Sequence, residues 1–302
     1  MSVVLLSGGT GGAKLARGLY ELLGAELAVI ANTGDDIEIH GGYVSPDPDL
    51  ITFWLADRID PDRGWGLADD TFAAMEMLRL LGRETWFSLG DRDLALCLER
   101  RRLLEDGATL TEAQAVITRA LGVAAAVIPM SDGRVRTIVR SGERLLSLHE
   151  FLIGERGAAP IDEVSFDGAA SAAAAPAALE ALAGAEAIVI GPSNPILSIA
   201  PILAISEIRA AIEAASVPVI AVSPFVGGEV LKGPTAACLA WAGRSADGAG
   251  VAAHYGSLID AMVADEAVAG IRVRECDTWM GAASARREVA ENVLALAGEL
   301  AA

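Results

Sequence analysis

The chain has 302 residues, 53% of them hydrophobic and 21% charged, with a mean hydropathy of +0.43. That length suits one large domain or two small ones, and the composition excludes a disordered or collagen-like chain. The 23 Lys+Arg against 41 Asp+Glu give a formal net charge of −18, which argues against non-specific binding to nucleic acid or to an anionic membrane.

The N-terminal unit reads strand, glycine loop, helix, strand. Val3–Leu6 is a short continuous apolar run, as expected of a strand buried on both faces of a parallel sheet. The run Ser7-Gly8-Gly9-Thr10-Gly11-Gly12 follows. A helix is predicted from Ala13 to Leu23, with Leu15, Leu19 and Leu22 or Leu23 on one face, and then a strand over Glu26–Ala31. Further on, Asp69–Leu81 and Asp91–Glu105 read as helices, and Thr109-Leu110-Thr111-Glu112 is a capping box opening a helix through Leu121. Val135–Val139 and Arg144–Leu148 alternate as a hairpin across Ser141-Gly142.

The strand–helix rhythm then returns. Ala187–Ile190 is a strand ending in Gly191-Pro192-Ser193-Asn194-Pro195, a helix spans Ile205–Ala215, and Val217–Val222 is a strand. Thr235–Ala242 reads as a helix, Ile271–Val273 as a late strand and Ala282–Leu300 as a closing helix. The expected fold is α/β, a three-layer Rossmann-like core with a mostly parallel sheet and a helical and β-hairpin insertion. Residues 1–60 and 168–302 would form the core and 61–167 the insertion.

Cys97, Cys238 and Cys276 lack both disulfide-framework and zinc spacing. The N-terminus has no basic leader, and no run reaches the ~20 apolar residues of a membrane span, so a cytoplasmic protein is expected.

Glycines between a strand and a helix let the backbone approach a ligand and leave the helix N–H groups for an anion. The run is not a Walker A loop, because Leu15 follows Lys14 where Ser or Thr is required. It is also a broken dinucleotide fingerprint: Lys14 stands at the third glycine position, and Asn32 and Thr33 follow the second strand where an acid is expected. The loop therefore reads as a phosphate or nucleotide site, or as tight strand–helix packing. Asp35 and Asp36, then Asp47 and Asp49, lie on loops at the ligand-binding edge of the sheet. Such paired acids suit Mg²⁺; for Asp49 the alternative is an N-cap on the run Leu50–Ala56, and for Asp91 a cap on its own helix. His40, His149 and His254 have no partner at metal or triad spacing. Ser193 lacks the nucleophile-elbow context, and with Asn194 it reads as a polar turn facing a nucleotide or phosphate.

Several segments together carry a resemblance. They are Ser7–Leu15, Asn32–Asp36, Pro46–Asp49, Gly64-Trp65-Gly66, the run Trp86–Ala95 (WFSLGDRDLA), Gly191–Pro195 with Ser198–Leu203, Ser223-Pro224-Phe225 and Lys232-Gly233-Pro234. In this order the chain resembles the 2-phospho-L-lactate transferase family of coenzyme F420 biosynthesis, and the segment from Trp86 to Ala95 is the most specific part. The resemblance implies a Mg²⁺-dependent transfer of a phospho-three-carbon-acid unit from a guanosine diphosphate donor to the deazaflavin Fo, with release of GMP, by a homodimer.

By family pattern, Asp35 and Asp49 would hold the metal, and Asp49, Arg92 and Trp86 would lie at the Fo pocket. Gly8, Gly9, Thr10, Gly11, Gly12, Lys14, Asn32, Ser193 and Asn194 would bind the nucleotide. Asp49 is also the candidate proton acceptor, the alternative being loss of the proton to solvent. Trp54, Trp65 and Phe87 are further candidates for an apolar slot. Pro48 departs from the leucine expected between the two acids, and Ser88 from a longer residue. The competing reading is a nucleotide-sugar-binding regulatory protein of the gluconeogenesis-factor type, which shares the glycine loop and the Asn-Pro turn.

Overall fold

The computed structural model describes residues 1–302. Six short apolar runs and one charged edge segment form one sheet: β1 (Val3–Ser7), β2 (Leu27–Ala31), β3 (Ala126–Pro129), β4 (Ala187–Ile190), β5 (Val219–Val222), β6 (Ala261–Ala264) and the edge strand β7 (Arg272–Glu275). They lie in the order β7-β6-β5-β4-β1-β2-β3, and every neighbouring pair is parallel. The order reverses between β1 and β4, so the loops leaving those two strands part and open a crevice at the carboxyl edge of the sheet.

Alternation along the strands builds two cores. Val3, Leu5, Val29 and Val189 face one side, packing on α1 (Gly9–Leu23), α2 (Pro46–Leu55) and the last helix. Val4, Leu6, Ile30 and Ile190 face the other, beneath the helices that follow β3 and β4. Complete burial on both faces explains why these strands read as continuous apolar runs. Gly18 lets α1 approach the last helix, since a Cβ there would stand 2.3 Å from the Arg286 carbonyl oxygen. No single helix is long and apolar enough to cross a membrane.

Helices α3 (Ala73–Leu80), α4 (Asp91–Glu105) and α5 (Leu110–Ala120) follow α2. Thr109 and Glu112 make the predicted capping box. The 61–167 stretch is not wholly an insertion, because α5 leads into β3 at the sheet edge, where Ala126, Val127, Ile128 and Pro129 pair with Ala28–Ala31. The predicted hairpin forms as Arg136–Ser141 with Arg144–Ser147, and Glu163–Asp167 adds to it as a third strand.

Asp91 does not cap its own helix. Its carboxylate accepts hydrogen bonds from Thr71 Oγ1 and from the backbone N–H groups of Ala73 and Ala74, at the start of α3. Asp70 returns the favour, accepting from the N–H groups of Arg92 and Asp93 at the start of α4. Each acid thus satisfies orphan donors of the other helix. Asp70→Ala and Asp91→Ala are each expected to lower the urea midpoint, and the double variant to lose less than the sum, because the two caps fix one junction.

After β3 come α6 (Pro176–Ala183), α7 (Ala200–Leu203), α8 (Ser206–Glu213), α9 (Thr235–Trp241), α10 (Gly248–Tyr255) and α11 (Ala283–Ala301). A two-strand hairpin, Ile37–Ile39 with Gly42–Val44, turns through His40 and Gly41 with φ of 53° and 83°, the positive values a two-residue turn demands. It delivers the chain from the β2 edge to α2.

Candidate active site

The loops leaving β1, β2 and β4 converge because the strands are parallel and in register: Ser7 pairs with Ala31 and Leu6 with Ile190. The glycine run is the first turn of α1, which begins at Gly9 and not at Ala13. Close contact with protein accounts for much of its glycine content. A Cβ on Gly11 would meet the Pro192 carbonyl oxygen at 2.1 Å, and one on Gly12 would meet Ser7 Oγ at 2.2 Å and Ser193 Oγ at 2.6 Å. The N–H of Gly8 donates to Ser193 Oγ at 3.4 Å and that of Gly9 to Asp47 Oδ1 at 2.6 Å. The next two N–H groups, of Thr10 and Gly11, find no acceptor in the protein. The helix thus presents two free donors and its positive end at the crevice.

Asp47, one of the paired acids of the sequence but not assigned to the site by family pattern, faces the start of α1. Besides Gly9 it accepts from Asn32 Nδ2 at 2.9 Å, while Asn32 Oδ1 accepts from the Gly34 N–H at 2.8 Å. Burial pushes the Asp47 carboxyl up to about 6 against the bonds from Asn32 and Gly9. Asp35 lies on the same site, its carboxyl raised well above the usual range by burial and then by repulsion from Asp47 and Asp36. Asp35 Oδ1 is buried without a hydrogen-bond partner. Asp36 is satisfied internally, by Tyr43 Oη at 2.9 Å and Ser45 Oγ at 2.7 Å.

Asp49 goes elsewhere. Ser45 is the N-cap residue of α2, and Asp49 is inside the helix. Its two oxygens accept from the Arg100 guanidinium, which is fully buried and also donates to the Tyr43 carbonyl at 2.9 Å and to Gln114 Oε1 at 3.1 Å. Asp47 and Asp49 are two residues apart on a helix and so point to different sides. Asp49 is thus ion-paired with Arg100, and it is Asp47 whose charge repels Asp35. Asp93 and Cys97 join Asp49 in a buried cluster, but Arg100 already supplies its positive charge. Burial and the neighbouring Asp49 push Asp93 up to about 7. Asp93 is thus protonated in the folded protein while ionised in the unfolded chain between pH 4 and 7. Its contribution to stability falls as pH rises through that window, so Asp93→Asn should flatten the decline in urea midpoint between pH 5 and 7.5.

Trp86 reaches the site through stacked rings. It packs edge-on against Phe87 with centroids 5.9 Å apart, and Phe87 packs likewise on His149 at 4.9 Å. His149 in turn hydrogen-bonds the Asp35 carbonyl. Trp86 remains 43% exposed, a half-open aromatic face near the acids. Arg92, on the first turn of α4, has an exposed side chain. Asn194 is spent on the turn after β4, its Oδ1 accepting from the N–H groups of Ile196 and Leu197, although its Nδ2 is buried without a partner. Lys14 lies one turn beyond the glycines, over the Trp54 ring. A cavity of about 290 Å³ opens beside Asp35, lined among others by Arg136, Thr137 and His149. Of these, Arg136 and Thr137 gave no sequence signal, and His149 only a histidine without a partner.

The Asp35–Asp47 pair fits a divalent cation in kind: two buried carboxylates with raised affinity for protons, one oxygen unpartnered, and no arginine ion-paired to either. Hard oxygen ligands of this sort bind Mg²⁺ through one or two carboxylates, with water and phosphate completing the shell.

Among solved structures, a UPF0052 family protein of Bacillus halodurans superposes with a TM-score of 0.62 over 97% of this chain and 98% of that one, at 14% identity, a likeness of fold alone. A 2-phospho-L-lactate transferase of Methanosarcina mazei is 35% identical over 97% of this chain and 99% of its own length. One of Methanopyrus kandleri is 39% identical, and a phosphoenolpyruvate transferase of Kitasatospora aureofaciens 37%, each covering 99% of both chains. The family model for 2-phospho-L-lactate transferase CofD matches residues 3–293. With that match spanning the sheet, the glycine turn and the acid pair alike, the chain belongs to the 2-phospho-L-lactate transferase CofD family.

Proposed function

We propose that the protein transfers a phospho-three-carbon-acid unit (phospholactyl, phosphoenolpyruvyl or phosphoglyceryl) from its guanosine diphosphate donor to the terminal ribityl hydroxyl of the deazaflavin Fo. The hydroxyl oxygen forms a bond to the phosphorus that carries the acid, the bond from that phosphorus to GMP breaks, and the hydroxyl proton passes to solvent. The product is a phosphodiester, coenzyme F420-0 or its dehydro form. The observation that carries the reading is the buried Asp35–Asp47 pair beside the open N-terminus of α1. Family membership favours it over the nucleotide-sugar-binding regulatory alternative.

Phosphoryl transfer needs positioning and charge neutralisation more than a covalent residue. Asp35 and Asp47 would hold Mg²⁺, which supplies neutralisation of the diphosphate charge when bound. The N–H groups of Thr10 and Gly11 give fixed donors to phosphate oxygens. Asn32 orients Asp47, so the acid stays aimed at the crevice when the nucleotide arrives. The half-exposed Trp86, backed by the buried Phe87, would offer the apolar surface a deazaflavin ring requires, and the exposed Arg92 a charge for its polar groups. A single assay tests the reading: Fo supplied with each of the three guanylylated acids and Mg²⁺, with products weighed by mass spectrometry. Formation of the phosphodiester and GMP from at least one donor is expected; no conversion of Fo with any donor would sink the reading.

A further inference from the structure

Two cations share one indole beside the crevice. Lys14 Nζ lies 6.0 Å from the Trp54 ring centroid and Arg286 Cζ lies 5.2 Å from it. Lys14 projects from α1, Trp54 from the end of α2, and Arg286 from the first turn of α11. A third cation, Lys232, comes from the loop after β5, and its Nζ stands 4.0 Å from where a Cβ on Gly64 would be. Burial, then repulsion from Arg286 and Lys232, holds Lys14 below the ordinary lysine range.

These charges are unusual in their company. Lys14 and Lys232 are the only lysines in the chain. Ion pairs are common elsewhere on the molecule, yet none includes Lys14, Lys232 or Arg286. Arg286 Nε and Trp54 Nε1 are both buried without a hydrogen-bond partner. In a protein of net charge −18, acids to neutralise three crowded cations are plentiful, and the fold uses none of them. Like charges gathered without a counter-charge raise the free energy of the empty site, and an arriving anion removes that repulsion.

We infer that Lys14, Arg286 and Lys232 form a phosphate-binding site that takes the diphosphate of a nucleotide, with Arg286 and Lys232 as contacts the glycine turn does not disclose. The anion site stands on Lys14 and Arg286 over the Trp54 ring, with Lys232 close enough to repel Lys14; its nucleotide occupant rests on the proposed transfer reaction. Arg286 offers a planar fork suited to two phosphate oxygens, and the lysines act as point charges. None of the three cations is ion-paired with Asp35 or Asp47, so their hold on an anion needs no divalent cation.

Titration calorimetry in EDTA separates the two claims. Inorganic pyrophosphate and then GDP are titrated into the full-length wild type, Arg286→Gln and Lys232→Met. The wild type is expected to bind both, more weakly as salt rises, and each variant to bind both about 10-fold more weakly, the range for losing a charge-assisted contact. Lys232 sits on an exposed loop, so its variant decides the matter even if Arg286→Gln fails to fold. Wild-type pyrophosphate affinity in Lys232→Met and in any folded Arg286→Gln, or no pyrophosphate binding by the wild type, overturns the site. Pyrophosphate binding that the variants lose, together with GDP binding no tighter than pyrophosphate, supports the anion site and counts against the guanosine donor.

Discussion

Arg100→Met is expected to destabilise the protein by about 3–5 kcal/mol, the range for breaking a buried ion pair by removing one partner. The guanidinium is fully buried, so the loss cannot be made good by water. It leaves the Asp49 carboxylate, the Tyr43 carbonyl and Gln114 Oε1 without their donor. The double variant Arg100→Met/Asp49→Leu should recover much of that loss, because replacing both partners by apolar groups removes the stranded charge as well. Urea denaturation of the two variants checks this. Equal losses in the single and double variants would mean that packing around Arg100, and not its charge, sets the cost.

The second large effect is on turnover. Asp47→Asn is expected to lower kcat by about 100-fold or more, the scale on which electrostatic contacts to a reacting diphosphate act. Its fold should survive, because an asparagine carbonyl can still accept the Gly9 N–H and serves well at a helix N-terminus. Asp49→Asn should show the opposite division: a marked loss of stability from the Arg100 pair, with turnover per folded molecule less affected. Steady-state kinetics beside thermal melts of both variants separate the two roles. A kcat loss larger for Asp49→Asn than for Asp47→Asn would restore Asp49 to the site.

That contrast shows how far the sequence could be read. The β1-glycine-α1-β2 unit, the Thr109 capping box and the hairpin across Gly142 follow from patterns spanning a few residues, and they form as expected. Strand β3 was missed because Ala126-Val127-Ile128-Pro129 is too short an apolar run to declare its partner, which is β2, nearly a hundred residues earlier. Arg100 was hidden within Glu99-Arg100-Arg101-Arg102. Its neighbours Arg101 and Arg102 are ordinary surface residues paired with Glu105 and Glu99, and only the facing α2 decides which arginine turns inward. The acids of the Pro46–Asp49 segment were legible as a group; which of them meets Asp35 depends on helical phase, a property set by where α2 begins. Asp91 likewise read as a cap, but the helix it caps is fixed by how α3 and α4 meet.

On the proposed function, Asp35 and Asp47, beside the open end of α1, are the acids that would hold a divalent cation for the donor diphosphate. Crystals grown with GDP and Mn²⁺ and measured at the manganese edge test it most directly. An anomalous peak bridging the Asp35 and Asp47 carboxylates and the nucleotide phosphates is the predicted result. A peak at Asp49 and Asp93, or nucleotide bound in the crevice with no metal at Asp35, would contradict it.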